Sequence, residues 1–138
     1  MRWALLLVLL SGCAGPDPGS TPLARPDRAE FAAKVLPILV ERCANPSCHG
    51  RPERALSLYA PQRFRIDPRW TWLDGPLTAE ELEHDYRAVA ALIDPGDPES
   101  SLVLTKALAR TWHGGGAVLE PDDDAHRAIR TWIAEARR

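Results

Sequence analysis

Thirteen prolines punctuate this 138-residue chain, and their positions decide where a helix can run. Proline fixes φ at about −65° and has no backbone N–H, so it suits the first turn of a helix and kinks or breaks the interior. Pro52, Pro61, Pro68 and Pro76 forbid a long helix between residues 50 and 77. That stretch reads as a loop-rich crossing that contributes Leu58, Phe64, Trp70 and Trp72 to the core. Four windows remain for helices. The first opens with Asp27 and Glu30 at capping-box spacing and continues through Phe31, Val35, Leu36, Ile38, Leu39 and Val40 to about Arg42. Pro37 lies inside it and predicts a kink or an early end. Thr78 and Glu81 repeat the capping pattern ahead of Leu82, Tyr86, Val89 and Ile93, and Asp94-Pro95-Gly96 stops the second helix. Asp97-Pro98 restarts a third, carrying Leu102, Val103 and Leu104 to about Arg110, before Gly114, Gly115 and Gly116 break the chain. The last begins near Pro121 and buries Ala125, Ile129, Trp132, Ile133 and Ala136. Asp122, Asp123 and Asp124 suit its positive N-terminus, as Arg137 and Arg138 suit its negative end, so the triple aspartate reads as capping and not as a metal site. The expected fold is an all-α domain of four helices with long Pro/Gly-rich loops, spanning 27–138.

The N-terminal end carries a different signal. Arg2 precedes an apolar run from Trp3 to Leu10, too short to span a bilayer as a helix, which needs about 20 apolar residues. It fits the apolar part of an export leader, residues 1–12. Leu10-Ser11-Gly12-Cys13 resembles the lipobox of bacterial lipoproteins, which implies cleavage before Cys13 and acylation of that cysteine. The alternative is an ordinary leader with a chance cysteine. Ala14 after the cysteine leans toward the outer membrane, because an aspartate there favours inner-membrane retention. Residues 13–26, with Pro16, Pro18, Gly19, Pro22 and Pro26, then form a lipidated tether. The expected location is the periplasmic face of the bacterial cell envelope. Loss of Arg2 with the leader reduces 17 Lys and Arg to 16, against 19 Asp and Glu, a near-balance that argues against nucleic acid as a partner.

Apart from Cys13 the chain holds two cysteines, Cys43 and Cys48, in what would be an oxidising compartment. They frame Cys43-Ala44-Asn45-Pro46-Ser47-Cys48-His49-Gly50. A cysteine pair ending in Cys-His is the attachment signature of c-type haem. Two thiols add across the two vinyl groups of the macrocycle, and the adjacent histidine becomes the proximal iron ligand. Gly50 would let the backbone leave the crowded ring face. Here four residues separate the cysteines, where two is usual. Two other readings stay open: a Cys43–Cys48 disulfide around Asn45-Pro46, and a zinc site using both thiolates, His49 and another histidine.

Several stretches resemble, in order, a cytochrome c family common in planctomycetes and myxobacteria. They are Val35-Leu36-Pro37-Ile38-Leu39 leading to Arg42-Cys43 and Cys48-His49-Gly50; Asp94-Pro95-Gly96-Asp97-Pro98-Glu99-Ser100-Ser101-Leu102; His113-Gly114-Gly115-Gly116; and Ala128-Ile129-Arg130-Thr131-Trp132-Ile133. The resemblance covers the chain from about residue 30 to the end. It implies one covalently attached haem c in a small cytochrome c-like domain.

A methionine opposite His49 is excluded, because the single methionine is Met1. Three histidines remain. His84 falls away from the apolar face of its helix and reads as solvated. His126 borders the buried stripe of the last helix, as a core-edge residue or a ligand. His113 precedes three glycines that allow a close backbone approach to a flat ring, and the resemblance places the distal ligand in that loop. His113 is the favoured sixth ligand, with His126 or an open, water-bound iron as alternatives. Two histidines imply a lower reduction potential than His/Met. The expected function is a lipid-anchored monohaem cytochrome c that carries single electrons among redox proteins of the envelope. Trp112, Leu58, Trp70 and Trp72 are candidates for the apolar wall of its pocket. The other readings are a haem-free structural lipoprotein with a local disulfide, and a haem peroxidase or sensor with an open sixth position.

Overall fold

The computed structural model describes residues 25–136; the leader, Cys13 and most of the tether lie outside them. The described residues form four helical stretches and no strand.

The first, α1, is α-helical over Arg28–Glu30, widens to a π-helix over Phe31–Val35 and returns to α-helix over Leu36–Arg42. Asp27 caps it, its carboxylate accepting the Glu30 N–H at 2.7 Å. Pro37 explains the widening. Its ring crowds the carbonyl one turn back and it offers no N–H, so the preceding turn opens to i→i+5 pairing, with Leu36 N–H reaching the Phe31 carbonyl. The helix continues through the proline to Arg42 without ending.

Helix α2, Ala79–Ala90, carries the complete capping box: Thr78 N–H donates to the Glu81 carboxylate at 2.8 Å and Glu81 N–H to the Thr78 hydroxyl at 3.2 Å. It ends one turn before Ile93. A 3₁₀ turn at Pro98–Ser100 leads into α3, Leu102–Ala107, which stops short of Arg110 where Ala109 adopts φ +52°. Helix α4, Asp124–Glu135, is capped by Asp123, whose carboxylate accepts the His126 N–H at 2.6 Å and also pairs with Arg42 at 2.8 Å. The capping reading of the aspartates therefore holds, with Asp123 as the cap.

Three of these helices meet at an aromatic junction. Phe31 of α1 lies 5.7 Å from Tyr86 of α2 and 5.4 Å from Trp132 of α4, between ring centroids. Both polar tips are satisfied: the Tyr86 hydroxyl donates to the Pro26 carbonyl and the Trp132 indole N–H to the Asp27 carbonyl, each at 2.8 Å. Pro26, read above as the end of the tether, is thus buried in the domain.

The crossing between α1 and α2 is built differently from expectation. Leu58 is buried and Phe64 packs against Tyr59 at 4.6 Å, but Trp70 is 47% exposed and Trp72 83% exposed, so neither belongs to the core. What anchors this segment is polar. The Arg65 guanidinium makes a two-pronged contact with the Glu81 carboxylate at 2.9 and 2.8 Å and also donates to the Pro76 carbonyl. Ile66 N–H adds a further bond to Glu81 at 2.9 Å. Burial alone would raise the Glu81 carboxyl, but Arg65 and the N–H groups of Thr78 and Ile66 outweigh it and hold it at about 2. Nearby, Asp85 is fully buried. One of its oxygens accepts the Tyr59 N–H at 2.9 Å and the other has no partner. Burial pushes its carboxyl up to about 7, opposed by the Tyr59 bond and assisted by the charge of Glu81.

Candidate cofactor site

Directly after α1, the chain from Cys43 to Gly50 closes into a compact loop. Ala44 N–H donates to the Leu39 carbonyl, His49 N–H to the Cys43 carbonyl and Gly50 N–H to the Asn45 carbonyl, at 2.8 to 3.1 Å. The Asn45 side chain accepts from both the N–H and the hydroxyl of Ser47. Arg54 fastens the loop by donating to the carbonyls of Cys48 at 2.8 Å and Ser47 at 3.0 Å. Gly50 is required inside the loop: a Cβ there would stand 2.3 Å from the Ala44 carbonyl oxygen. Its role is to let the chain cross itself.

This loop forms one wall of a cavity of about 550 Å³, within the range of about 300–1,000 Å³ for small-molecule and cofactor sites. Each helix contributes apolar wall: Ile38 and Leu39 from α1, Ala88 from α2, Leu102, Val103 and Ala107 from α3, and Ile129 from α4. Leu102 and Trp112 on this wall are 45% and 86% exposed, apolar surface that the protein's own side chains leave uncovered.

His49 and His113 both line the cavity. Their ring centroids are 6.1 Å apart and their planes lie within 9° of parallel. His49 Nδ1 is 2.8 Å from the Leu56 carbonyl, and His113 Nδ1 is 2.7 Å from the Gly116 carbonyl. A carbonyl oxygen only accepts, so each Nδ1 carries a proton, and in the neutral ring the lone pair is then on Nε2. This outer hydrogen bond is the arrangement that orients a metal-ligating imidazole. The glycines after His113 serve its ring. Gly116 takes φ +69° in the turn that returns its carbonyl to Nδ1, and a Cβ on Gly115 would sit 3.2 Å from the His113 Cε1. Lys106 holds the same loop, donating to the Trp112 carbonyl at 2.6 Å with its ammonium 5.9 Å from the Trp112 ring centre.

The two cysteines are free thiols, both half-buried; Cys43 lines the cavity, whereas Cys48 does not, its sulfur lying 3.7 Å from the Ser47 hydroxyl. Burial, with help from Cys48 and against the pull of Arg42, pushes the Cys43 thiol up to about 11, so it stays protonated at neutral pH. The other histidines are elsewhere. His126, weighed above as a sixth ligand, is buried outside the cavity; its Nδ1 accepts the Asp122 N–H at 2.9 Å and its Nε2 faces Glu99 at 3.3 Å. His84 is half-buried rather than solvated, its Nε2 3.0 Å from the Ser57 hydroxyl and its ring against Tyr59 at 4.8 Å. Trp70, Trp72 and Leu58 do not line the cavity; of the four expected wall residues only Trp112 does.

The donor set suits haem. A metal held by the protein alone needs three or more side chains, and no group of three His, Cys, Asp or Glu that could hold one occurs among the described residues. A porphyrin supplies its own ring nitrogens and asks the protein for one or two further ligands, a demand that His49 and His113, both on the cavity wall, would meet.

Comparison of the chain with protein-family models, with curated proteins and with solved structures finds no match.

Proposed function

We propose that this chain is a lipid-anchored monohaem c-type cytochrome that carries single electrons among redox proteins of the bacterial envelope. The observation that carries the reading is the pair of imidazoles facing one apolar cavity, each with Nδ1 tied to a backbone carbonyl and Nε2 free. Haem c, when bound, supplies reversible one-electron iron chemistry. Cys43 and Cys48 are the attachment thiols, His49 the proximal ligand next to them and His113 the distal one. The Leu56 and Gly116 carbonyls fix the tautomer and increase the basicity of both ligands. The apolar walls from all four helices limit water around the iron, and Arg54 and Lys106 hold the two ligand-bearing loops in place. Cys13 supplies the anchor.

Optical and electron paramagnetic resonance spectra of the full chain, made with haem-attachment machinery, test the ligand set. Low-spin spectra and no carbon monoxide binding by the reduced protein are expected. His113→Ala should become high-spin and bind carbon monoxide. A high-spin, carbon monoxide-binding wild type would support an open sixth position, and with it a peroxidase or sensor.

A further inference from the structure

The cavity accounts for the exposed Leu102 and Trp112, but not for a second apolar surface. Ile66, Trp70, Trp72 and Leu73, 43% to 83% exposed, fall within eight residues, and none of them lines the cavity. The turn that presents them is internally bonded: Trp70 N–H donates to the Asp67 carbonyl, Thr71 N–H to that of Pro68 and Leu73 N–H to that of Trp70. It is also fastened from beneath, through the buried Arg65–Glu81 pair and the Arg65 bond to Pro76. Four large apolar groups held outward on a fixed turn would lose little conformational freedom on binding, and such a surface marks an interaction site.

The chain's own path indicates the partner. The residues that lead from Cys13 into the domain arrive at Pro26, whose carbonyl is held by Tyr86 of α2. Arg28, just beyond, donates to the Ala79 carbonyl at 3.4 Å and pairs with Glu83 at 3.0 Å. The tryptophan turn is fastened to Glu81 of the same helix. Residues 81 and 86 are about 7.5 Å apart along the axis and about 140° apart around it, so tether and turn meet the fold within one and a half turns of one helix. The 12 residues between Cys13 and Pro26 span at most about 43 Å when fully extended.

We infer that the turn bearing Ile66, Trp70, Trp72 and Leu73 rests in the headgroup region of the bilayer that anchors Cys13. This rests on the lipoprotein reading under Proposed function. Tryptophan favours the membrane–water interface, where its apolar ring and polar N–H are both satisfied. The anchor makes this second contact intramolecular, so a patch too small to bind vesicles by itself is sufficient. A turn seated in the membrane would fix which side of the domain, and so which approach to the haem cavity, faces soluble partners.

The test uses the full chain, processed in cells and reconstituted into phosphatidylethanolamine–phosphatidylglycerol vesicles containing a lipid with a photoreactive diazirine near the top of its acyl chain. After illumination, peptide mass spectrometry reads the modification of Cys13 and the position of lipid adducts together. Acylated Cys13 with adducts on residues 66 to 73 is the expected result, and W70S/W72S should lose those adducts while keeping the acyl group. Acylated Cys13 without adducts in that segment overturns the inference, leaves the anchor standing and turns the patch toward a protein partner. Unmodified Cys13 in exported protein overturns the anchor reading and this inference together.

Discussion

The aromatic junction and the cavity share α1, α2 and α4, with α3 added at the cavity, yet only the junction is filled from within. At the junction Phe31, Tyr86 and Trp132 occupy the space between α1, α2 and α4, and both polar ring atoms find backbone carbonyls. At the cavity those helices present small or branched side chains around about 550 Å³ and leave Trp112 at the mouth 86% exposed. Protein interiors are normally close-packed, with few voids larger than a water molecule. The difference separates residues that fill the fold from residues that line a space it leaves open, and each class should respond to mutation in its own way.

The largest effect should come from Trp132→Ala. It empties the junction and removes the indole bond to the Asp27 carbonyl, which keeps only the Phe31 N–H, and should cost about 3–5 kcal/mol in denaturant unfolding. A loss below about 1 kcal/mol would mean that the junction does not hold the fold. Glu81→Gln should follow at about 3 kcal/mol, because it strands the buried Arg65 guanidinium. The wild-type carboxylate, held at about 2 against an ordinary 4.5, contributes stability that is present above pH 4.5 and fades as pH falls toward 2. The variant should lack that acid limb.

Asp85→Asn should act in the opposite direction. With its carboxyl raised from 3.8 to about 7, the folded state resists an ionisation that the unfolded chain accepts, so wild-type stability declines as pH rises from about 4 to 7. Asparagine retains an acceptor for the Tyr59 N–H and removes the charge. Unfolding curves should find the variant more stable at pH 8, by up to about 4 kcal/mol, and equal to wild type near pH 4. Equal stabilities at both pH values would contradict the raised carboxyl. Smallest of all for the fold is His113→Ala, whose loop is largely exposed; its unfolding midpoint should stay within about 0.5 kcal/mol of wild type before haem is attached, while its spectra change as described above. A large loss of stability there would erase the distinction between the two regions.

Much of the fold was legible because helix ends announce themselves chemically. Asp27, Thr78 and Asp123 act as caps in the structure, and the stripe Ala125, Ile129, Trp132, Ile133 and Ala136 is buried as its spacing implies. The crossing was not legible. Trp70 and Trp72 are apolar by type, and without helical or strand periodicity nothing in the sequence distinguishes a core tryptophan from one held outward. Nothing in the sequence ties Arg65 to Glu81, whose carboxylate also closes the capping box with Thr78. At the candidate site, Cys43, Cys48 and His49 stand together in sequence. His113 reaches His49 only through the packing of α3 and the loop beyond it, a contact between residues 64 positions apart that no local pattern encodes. Leu56 gave no signal at all, since its role lies in a backbone carbonyl that every residue possesses.

The central claim is that this cavity holds a covalently attached haem. A haem stain after denaturing electrophoresis tests it most directly, with the full chain exported in cells that carry c-type maturation machinery and Cys43→Ser/Cys48→Ser run beside it. The account predicts stain that travels with the wild-type band and is lost from the double variant. A folded, exported wild type without stain would contradict it.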